Sequence, residues 1–239
     1  MEASSVSQIE PTFDRKYDCI LCKQPYTTKK LRSRFIKATS FDTDYCPTYS
    51  EEANPILYHI NVCPHCGFSS SNDFSPYFPP GSLEEIKSKV CEQWVSHNFG
   101  EKRTVGEAIK TLKLAAYCGT LKKEKHIAIA GIYARLAWLY RGLENEEQEQ
   151  RFMKLAARSY LDSYMADDFR GTQVSEGKIL YLIGEFSRRT GQFEQAVKFF
   201  SKVIEQQSRS GETGIVDMAR ERWYEIREIQ KNTKQAQEI

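Results

Sequence analysis

Two Cys-x-x-Cys pairs, Cys19/Cys22 and Cys63/Cys66, lie on either side of a 40-residue insert near the start of the chain. Zinc prefers four soft ligands at tetrahedral corners, and each pair can place two thiolates on one side of such an ion. Gly67 follows the second pair, where a tight turn often requires a positive φ. The spacing therefore predicts one zinc ion bound by all four cysteines. Because that shell leaves no position open for water, the ion is predicted to be structural.

The remaining cysteines and the nearby histidines fit a ligand pattern less well. Redox-active Cys-x-x-Cys pairs usually occur singly and precede a helix in a βαβ unit, which this sequence does not predict. Cys46 is the nearest competing ligand, but both pairs are complete without it. His59 and His65 are predicted to lie outside the coordination shell. Cys91 and Cys118 lie on apolar helix faces and are predicted to be core residues.

Composition excludes several classes of protein. The 239 residues are 40% hydrophobic and carry a net charge of +2, which favours a folded core and gives no general attraction to nucleic acid or membranes. No run approaches the ~18 apolar residues of a membrane span, and the N-terminus lacks the pattern of a secretory signal. Paired cysteines in such a chain indicate a reducing compartment, so we expect a cytoplasmic protein whose oligomeric state is left open.

The chain divides at a segment rich in proline and glycine, Pro79-Pro80-Gly81. Residues 1–16 are polar and predicted to be loose, and residues 17–81 form the predicted zinc-binding, ribbon-like module. Within this module, the alternation of apolar residues from Ile56 to Val62 predicts a strand that leads into the second cysteine pair. Residues 34–36 are a candidate partner strand.

Residues 82–239 are predicted to be entirely helical, so the predicted fold class is α+β. A capping box formed by Ser82 and Glu85 is predicted to start the first helix. Apolar residues then recur at helical spacing and the connections are short, which predicts that consecutive helices pack as antiparallel hairpins. About seven helices of ordinary length fit into this part of the chain.

One predicted hairpin is similar to a tetratricopeptide repeat, a motif of two antiparallel helices. Gly184 and Ala196 are the small residues that allow the two helices to approach. Gly191 lies in the turn, and Phe193 and Phe200 fill the core between the helices. The late proline of the repeat is missing. We expect a tetratricopeptide-like domain, and a generic helical bundle is the alternative.

Several short motifs follow one another in an order typical of a known family: Cys19-x-x-Cys22, Asp42 and Asp44 with Pro47 and Tyr49, Asn54-Pro55, Tyr58, and Cys63-Pro64-His65-Cys66-Gly67. They resemble the uncharacterised bacterial family DUF2225, whose members join a cysteine-pair zinc module to a C-terminal tetratricopeptide-like region. The resemblance covers most of residues 17–230. No activity is assigned to that family, so the resemblance implies an architecture and no mechanism.

The lack of a catalytic motif in the sequence favours a binding protein. No phosphate-binding loop, metalloprotease, nucleophile-elbow or dinucleotide-binding pattern occurs. We therefore expect a zinc-containing adaptor that binds a protein or peptide partner in a groove of the helical repeats. On the first helix of the clearest repeat, Leu180 and Ile183 are predicted to face the core. Tyr181, Glu185 and Arg188 are then predicted to line the groove and bind the partner.

Two other functions stay open at the level of sequence. Residues 23–37 carry six Lys or Arg and no acid, which is typical of a nucleic-acid-binding hairpin. The same cations would also relieve the negative charge of a four-thiolate zinc site. Asp42, Asp44 and His59 could instead form the acid–base group of an enzyme. Turn formation is the simpler role for the aspartates, because prolines and an asparagine follow them.

Overall fold

The computed structural model of the protein describes residues 9–206 and 211–237 and has the predicted α+β fold. Three short antiparallel hairpins come first, and seven α-helices follow within the described ranges. The strands are β1 (Thr12–Asp18), β2 (Pro25–Leu31), β3 (Ser40–Phe41), β4 (Pro47–Thr48), β5 (Asn61–Val62) and β6 (Ser69–Ser70). The helices are α1 (Ser82–Ile86), α2 (Val105–Lys122), α3 (His126–Gly142), α4 (Glu146–Ala166), α5 (Glu176–Arg189), α6 (Phe193–Glu205) and α7 (Thr213–Gln237).

The first hairpin begins inside the segment predicted to be loose, so that prediction is wrong from residue 12 onward. Tyr17 lies opposite Tyr26 with the ring centroids 6.0 Å apart, and Lys29 forms a 2.8 Å ion pair with Asp14 on the facing strand. Cross-strand aromatic and charged pairs of this kind stabilise an antiparallel hairpin. The polar composition of β1 concealed the strand because most of its side chains face solvent.

The predicted strand from Ile56 to Val62 is wrong over most of its length. The side chain of Asn54 accepts a hydrogen bond from the Ile56 amide at 3.0 Å, and the proline between them fixes its own φ. Pro55–Tyr58 consequently forms a 3₁₀ helix, whose last three residues are all buried. Only Asn61–Val62 is extended, and it pairs with β6.

Two further local predictions are wrong. Residues 34–36 are not a strand, since Ser33–Phe35 forms a 3₁₀ helix. The predicted capping box at the start of α1 is not formed, because the Ser82 hydroxyl donates to the Pro79 carbonyl at 2.6 Å. Gly81 precedes the helix with φ 78°, and a π-helical turn follows α1. The sharp turn after the prolines thus replaces side-chain capping at this boundary.

A capping box does start α2. The Thr104 hydroxyl accepts from the Glu107 amide at 3.2 Å, and the Glu107 carboxylate accepts from the Thr104 amide at 2.9 Å. From α2 onward, consecutive helices pack side by side. A Cβ added to Gly184 would lie 2.7 Å from the Phe200 ring, so the close approach predicted there is confirmed. Leu180 and Ile183 are buried in the core, as predicted.

The helices and the cysteine module share a core across the predicted boundary at residue 81. This core joins three buried cysteines and Phe68 of the module to apolar residues of α1, α2 and the π-helical turn. Its buried members are Cys19, Cys63, Cys66, Phe68, Ile86, Val90, Cys118 and Leu121. The position of the cysteine module is therefore set by α1 and α2. In the part of the chain that the structure describes, no helix has the length and apolar character needed to cross a membrane.

Candidate metal centre

The two cysteine pairs lie at the tips of two hairpins that have the same turn. The Lys23 amide donates to the Cys19 carbonyl at 2.9 Å, and the Gly67 amide donates to the Cys63 carbonyl at 2.9 Å. The residue after the second cysteine of each pair has a positive φ, 64° at Lys23 and 73° at Gly67. The positive φ predicted for Gly67 is confirmed, and the same geometry at Lys23 shows that the tips are equivalent. Each turn directs both thiols of its pair to one side.

The structure brings the four predicted ligands together. Their sulfur atoms all lie within 4.8 Å of one another, with 3.7 Å from Cys19 to Cys66 and 3.7 Å from Cys22 to Cys63. A tetrahedral zinc ion with Zn–S bonds of ~2.3 Å places its sulfurs ~3.8 Å apart. A disulfide would require ~2.0 Å, and all seven cysteines are free. The cluster has the spacing of a metal-ligand set and could hold an ion.

Hydrogen bonds inside the cluster shift the thiol pKa values in opposite directions. The bonds with Cys19 and Cys66 lower the pKa of Cys63. The bond with Cys63 raises the pKa of Cys19 to about 12, and the bond with Cys19 raises the pKa of Cys66 further. The protons are therefore distributed unequally among the sulfurs. A metal cation binds thiolates and not thiols, so metal binding at the cluster releases the remaining protons.

Water is largely kept from the cluster. Three of the thiols belong to buried residues, and Cys22 is half-buried. The Trp94 indole N–H donates to the Pro64 carbonyl at 2.9 Å, which holds the ring over the second turn. A Cβ at Gly67 would lie 2.5 Å from that ring, so glycine is required there for packing as well as for its φ.

Three cysteines lie outside the four-sulfur group. Cys118 is buried, and its sulfur accepts from the Ser69 amide at 3.4 Å. Cys91 is half-buried beside the cluster; burial raises the pKa of its thiol, although a hydrogen bond with Cys66 opposes that shift. Cys46 lies in the hairpin of β3 and β4, and burial raises the pKa of its thiol to about 12.

The two histidines also lie outside the four-sulfur group. The His65 ring nitrogen Nε2 is 3.2 Å from the Pro25 carbonyl, a contact between the two hairpins that carry the cysteines. His59 is largely buried, and burial together with the charges of Arg135 and Lys30 keeps its pKa well below the ordinary value. His59 is therefore neutral at physiological pH.

The six cations of residues 23–37 differ in their exposure and in the groups that they contact. Lys30 is largely buried and donates to the Tyr58 carbonyl at 2.6 Å; burial and the charge of Arg103 lower its pKa to about 7. Lys23, Arg32, Arg34 and Lys37 are exposed. The cations that bind other groups of the chain are Lys23, Lys29, Lys30 and Arg32.

The helical face predicted to bind a partner is covered by the chain itself. Tyr181 and Glu185 are fully buried, and the Arg188 side chain is only 18% exposed, so their predicted placement in an open groove is wrong. Residues 42–45, the tip of the β3–β4 hairpin, lie on this face and are called the acidic turn below. The Tyr181 hydroxyl donates to the Thr43 carbonyl at 2.8 Å, and the Thr43 hydroxyl donates to Glu185 at 2.5 Å.

Two arginines bind the carboxylates of the acidic turn. Arg141, in the last turn of α3, donates to Asp44 at 2.7 and 3.2 Å and to Asp42 at 2.9 Å. Arg189, the last residue of α5, donates to Asp42 at 2.6 Å. Trp138 donates to Asp44 at 3.1 Å. Partial burial raises the pKa of Asp42, but a backbone amide and the two arginines lower it overall.

The three residues of the enzymatic alternative therefore have separate surroundings. The carboxylate oxygens of Asp42 and Asp44 accept hydrogen bonds from arginine and tryptophan side chains. His59 instead lies near two cations, Arg135 and Lys30. Sequence reasoning missed Arg141, Arg189 and Trp138. The Asp-x-Asp pair was the one feature of the sequence that could have indicated them, because a buried carboxylate requires a hydrogen-bond donor. The donors could not be identified from it, since they lie up to 147 residues away in the chain.

The fold and the site define an α+β protein in which a zinc-ribbon-like, four-cysteine module that could bind a metal ion is joined to a region of packed helices. The chain belongs to the family described as uncharacterized protein conserved in bacteria (DUF2225), whose family model matches residues 12–226. The resemblance drawn from the motifs is thereby confirmed. Neither a curated protein nor a solved structure matches the chain.

Proposed function

We propose that this protein is a zinc-containing adaptor. The four-cysteine cluster holds one structural zinc ion, and the helical hairpins bind a protein or peptide partner. The observation that carries the proposal is the closed set of four sulfurs at tetrahedral spacing, formed by two equivalent turns. A shell of four cysteines leaves no coordination position for a substrate, which supports a structural ion and a function in binding.

Zinc is the ion that best fits the donor set. Thiolates favour zinc or iron over the hard cations magnesium and calcium, and a tetrahedral set of four sulfurs is typical of either. The cluster belongs to the core that also contains residues of α1 and α2, so zinc there would stabilise the junction of the two parts. Thiol ligands require a reducing compartment, and we therefore place the adaptor in the cytoplasm.

Partner binding is supported by what the helical face already binds. An irregular segment of the chain occupies the side of α3 and α5 on which a tetratricopeptide-like groove would lie. That face offers hydrogen-bond donors and an aromatic ring to a turn, as a receptor for a peptide does. The nucleic-acid alternative is weaker, because two of the six cations in residues 23–37 are engaged within the chain, Lys29 by Asp14 and the half-buried Lys30 by the Tyr58 carbonyl.

The test uses the intact chain purified in reducing, chelator-free buffer. Elemental analysis should find about one zinc per chain and no iron. The immobilised protein is then exposed to a bacterial lysate in parallel with and without nuclease. The proposal expects a retained protein that survives nuclease treatment. Retention of nucleic acid that weakens steeply with salt would instead favour the basic segment as the binding surface.

A further inference from the structure

The acidic turn is bound to the helices as a ligand is bound to a receptor. Asp44 is fully buried and accepts from two side chains of α3, Arg141 and Trp138. Asp42 and Thr43 both accept from Arg189 of α5, at 2.6 and 2.7 Å. Every side chain of the sequence Asp-Thr-Asp therefore has at least one hydrogen-bond partner on the helices. The contacts join residues that lie far apart in sequence. They are therefore tertiary contacts that select this turn, and the local structure of the hairpin does not by itself produce them.

The turn has a fixed shape that suits this face. The Asp42 amide donates to the Cys46 carbonyl at 2.8 Å and closes the tip of the hairpin. Tyr45 has φ 62°, a conformation that a bulky side chain rarely adopts. Its ring packs edge-on against Tyr181 at 5.8 Å, and the Lys178 ammonium lies 4.5 Å from its centre. The contacts with the helices offset the unfavourable backbone conformation.

We propose that this face is a receptor for an acidic turn, two carboxylates followed by an aromatic residue, presented by a partner protein. The turn of the chain itself is the resident occupant, and the partner displaces it. The proposal rests on the adaptor function above and adds the chemistry of the partner. Arg141 and Arg189 each have one carboxylate partner on the helices, Glu149 and Glu185, through Nε. The carboxylates of the turn accept from the terminal nitrogens of both guanidinium groups, and a segment without acceptors would leave these donors unpaired.

The resident turn is placed so that exchange is possible. The two strands that carry it have only two residues each, so few contacts within the hairpin retain it. The Phe41 side chain at its base is 65% exposed. Asp42 keeps 40% of its side chain in solvent and Arg141 keeps 23%, which leaves one side of the ion pair open to an incoming carboxylate. Displacement can begin there.

The probe is a fluorescent, head-to-tail cyclic peptide with the sequence of residues 40–48 and a Cys46→Ser substitution. It is titrated into the full-length wild-type protein and into the Asp42→Asn/Asp44→Asn variant, whose own turn has lost its charges. The variant should bind the peptide at least ~10-fold more tightly, because the wild-type face is mostly occupied. A third protein, with Arg141→Gln and Arg189→Gln added to that variant, should lose binding.

A second readout uses the wild-type protein and needs no altered receptor. Cys46 adjoins the turn and is half-buried, so its alkylation rate, followed by mass spectrometry, should rise when the peptide displaces the turn. The peptide with both aspartates replaced by asparagine should leave the rate unchanged. Circular dichroism checks that each variant is folded.

The inference is overturned if the folded Asp42→Asn/Asp44→Asn variant binds the peptide no better than wild type does. It is also overturned if the peptide leaves the alkylation rate of Cys46 in the wild-type protein unchanged. These results would leave the proposed function standing, provided that zinc and a nuclease-resistant partner are found. If the peptide binds but the protein contains no zinc, the proposed zinc site is wrong and the inference that the helical face binds an acidic turn still holds.

Discussion

Arg141 and Asp44, 97 residues apart in the sequence, form a two-point ion pair with contacts of 2.7 and 3.2 Å. Asp44 is fully buried and Arg141 keeps 23% of its side chain exposed. The guanidinium group also binds Asp42 and Glu149, so one side chain of α3 holds the β3–β4 hairpin and reaches the start of α4. This pair links the insert between the cysteine pairs to the helical region.

Replacing Arg141 by methionine should destabilise the protein by ~3–5 kcal/mol, because the Asp44 carboxylate remains buried without its cation. Denaturant unfolding followed by circular dichroism measures the change. Arg158→Met is the matched control: Arg158 is 73% exposed and pairs with Asp162 one turn away, so its loss should cost only ~0–1 kcal/mol. Equal effects of the two substitutions would contradict the importance assigned to the buried pair.

Tyr181→Ala should cost ~3–5 kcal/mol, since the ring is fully buried against Phe200 and Tyr45. Tyr181→Phe keeps the ring and removes the hydroxyl that donates to the Thr43 carbonyl, and should cost only ~1 kcal/mol. Thermal and urea unfolding of both variants give the comparison. A Tyr181→Ala protein as stable as wild type would restore the view that this residue faces an open groove.

Acid should weaken the ion pairs between the acidic turn and the helices. Burial, partial for Asp42 and complete for Glu185, raises the pKa values of both carboxyls, but arginines and nearby hydrogen-bond donors lower both overall. Carboxyls whose folded pKa is depressed stabilise the fold above their unfolded pKa of ~4, and this contribution is lost as pH falls through the folded pKa.

Urea unfolding at pH 7, 5, 4 and 3 should therefore show a steeper loss of stability below pH ~4 in wild type than in Asp42→Asn. The difference between the two proteins is the relevant quantity, because every other titratable group is common to both. Parallel curves would show that Asp42 has the same pKa in the folded and unfolded chains.

Cys19→Ser should abolish stoichiometric zinc binding, and residues 12–70 should lose their slow amide exchange while α3 to α6 remain protected. Cys46→Ser is the control with the same chemical change outside the cluster, and it should keep about one zinc per chain. Elemental analysis and hydrogen exchange give the two readouts. Loss of zinc from Cys46→Ser with retention in Cys19→Ser would reverse the ligand assignment.

Gly184→Ala should destabilise the protein by ~1–3 kcal/mol, because the added methyl group would lie 2.7 Å from the Phe200 ring of the facing helix. Gly142→Ala adds the same methyl group where nothing lies within 4 Å, and should be neutral or stabilising by up to ~1 kcal/mol. Calorimetric melting temperatures of the two variants test the packing. A stable Gly184→Ala protein would show that α5 and α6 can move apart without cost.

The features predicted correctly from sequence were those encoded over short distances. The Cys-x-x-Cys spacing and Gly67 predicted the second cysteine turn, and helical periodicity predicted Leu180, Ile183 and the approach at Gly184. The α+β class followed from the change of pattern at residue 81. The strand predicted through Ile56 failed because a proline and an asparagine cap produce a turn that also buries consecutive apolar residues.

The placement of the acidic turn could not be predicted, because it depends on contacts across the whole chain. Periodicity assigns Tyr181 and Glu185 to the side of α5 away from Leu180 and Ile183, and on an isolated helical hairpin that side would be open. Here the insert covers it, so both sides of α5 are buried. No local pattern indicates that Asp44 pairs with a cation from α3 rather than with solvent.

The separation between the acidic turn and its receptor also sets an order of events during synthesis. Arg189 follows Asp42 by 147 residues, which at ~5–20 residues per second corresponds to roughly 7–30 s of translation. Both cysteine pairs leave the ribosome within that interval, so the hairpins can close and the turn is displayed before α5 exists. The turn is therefore made before its receptor, and it gains its contacts with Arg189 and Tyr181 only after α5 has been synthesised.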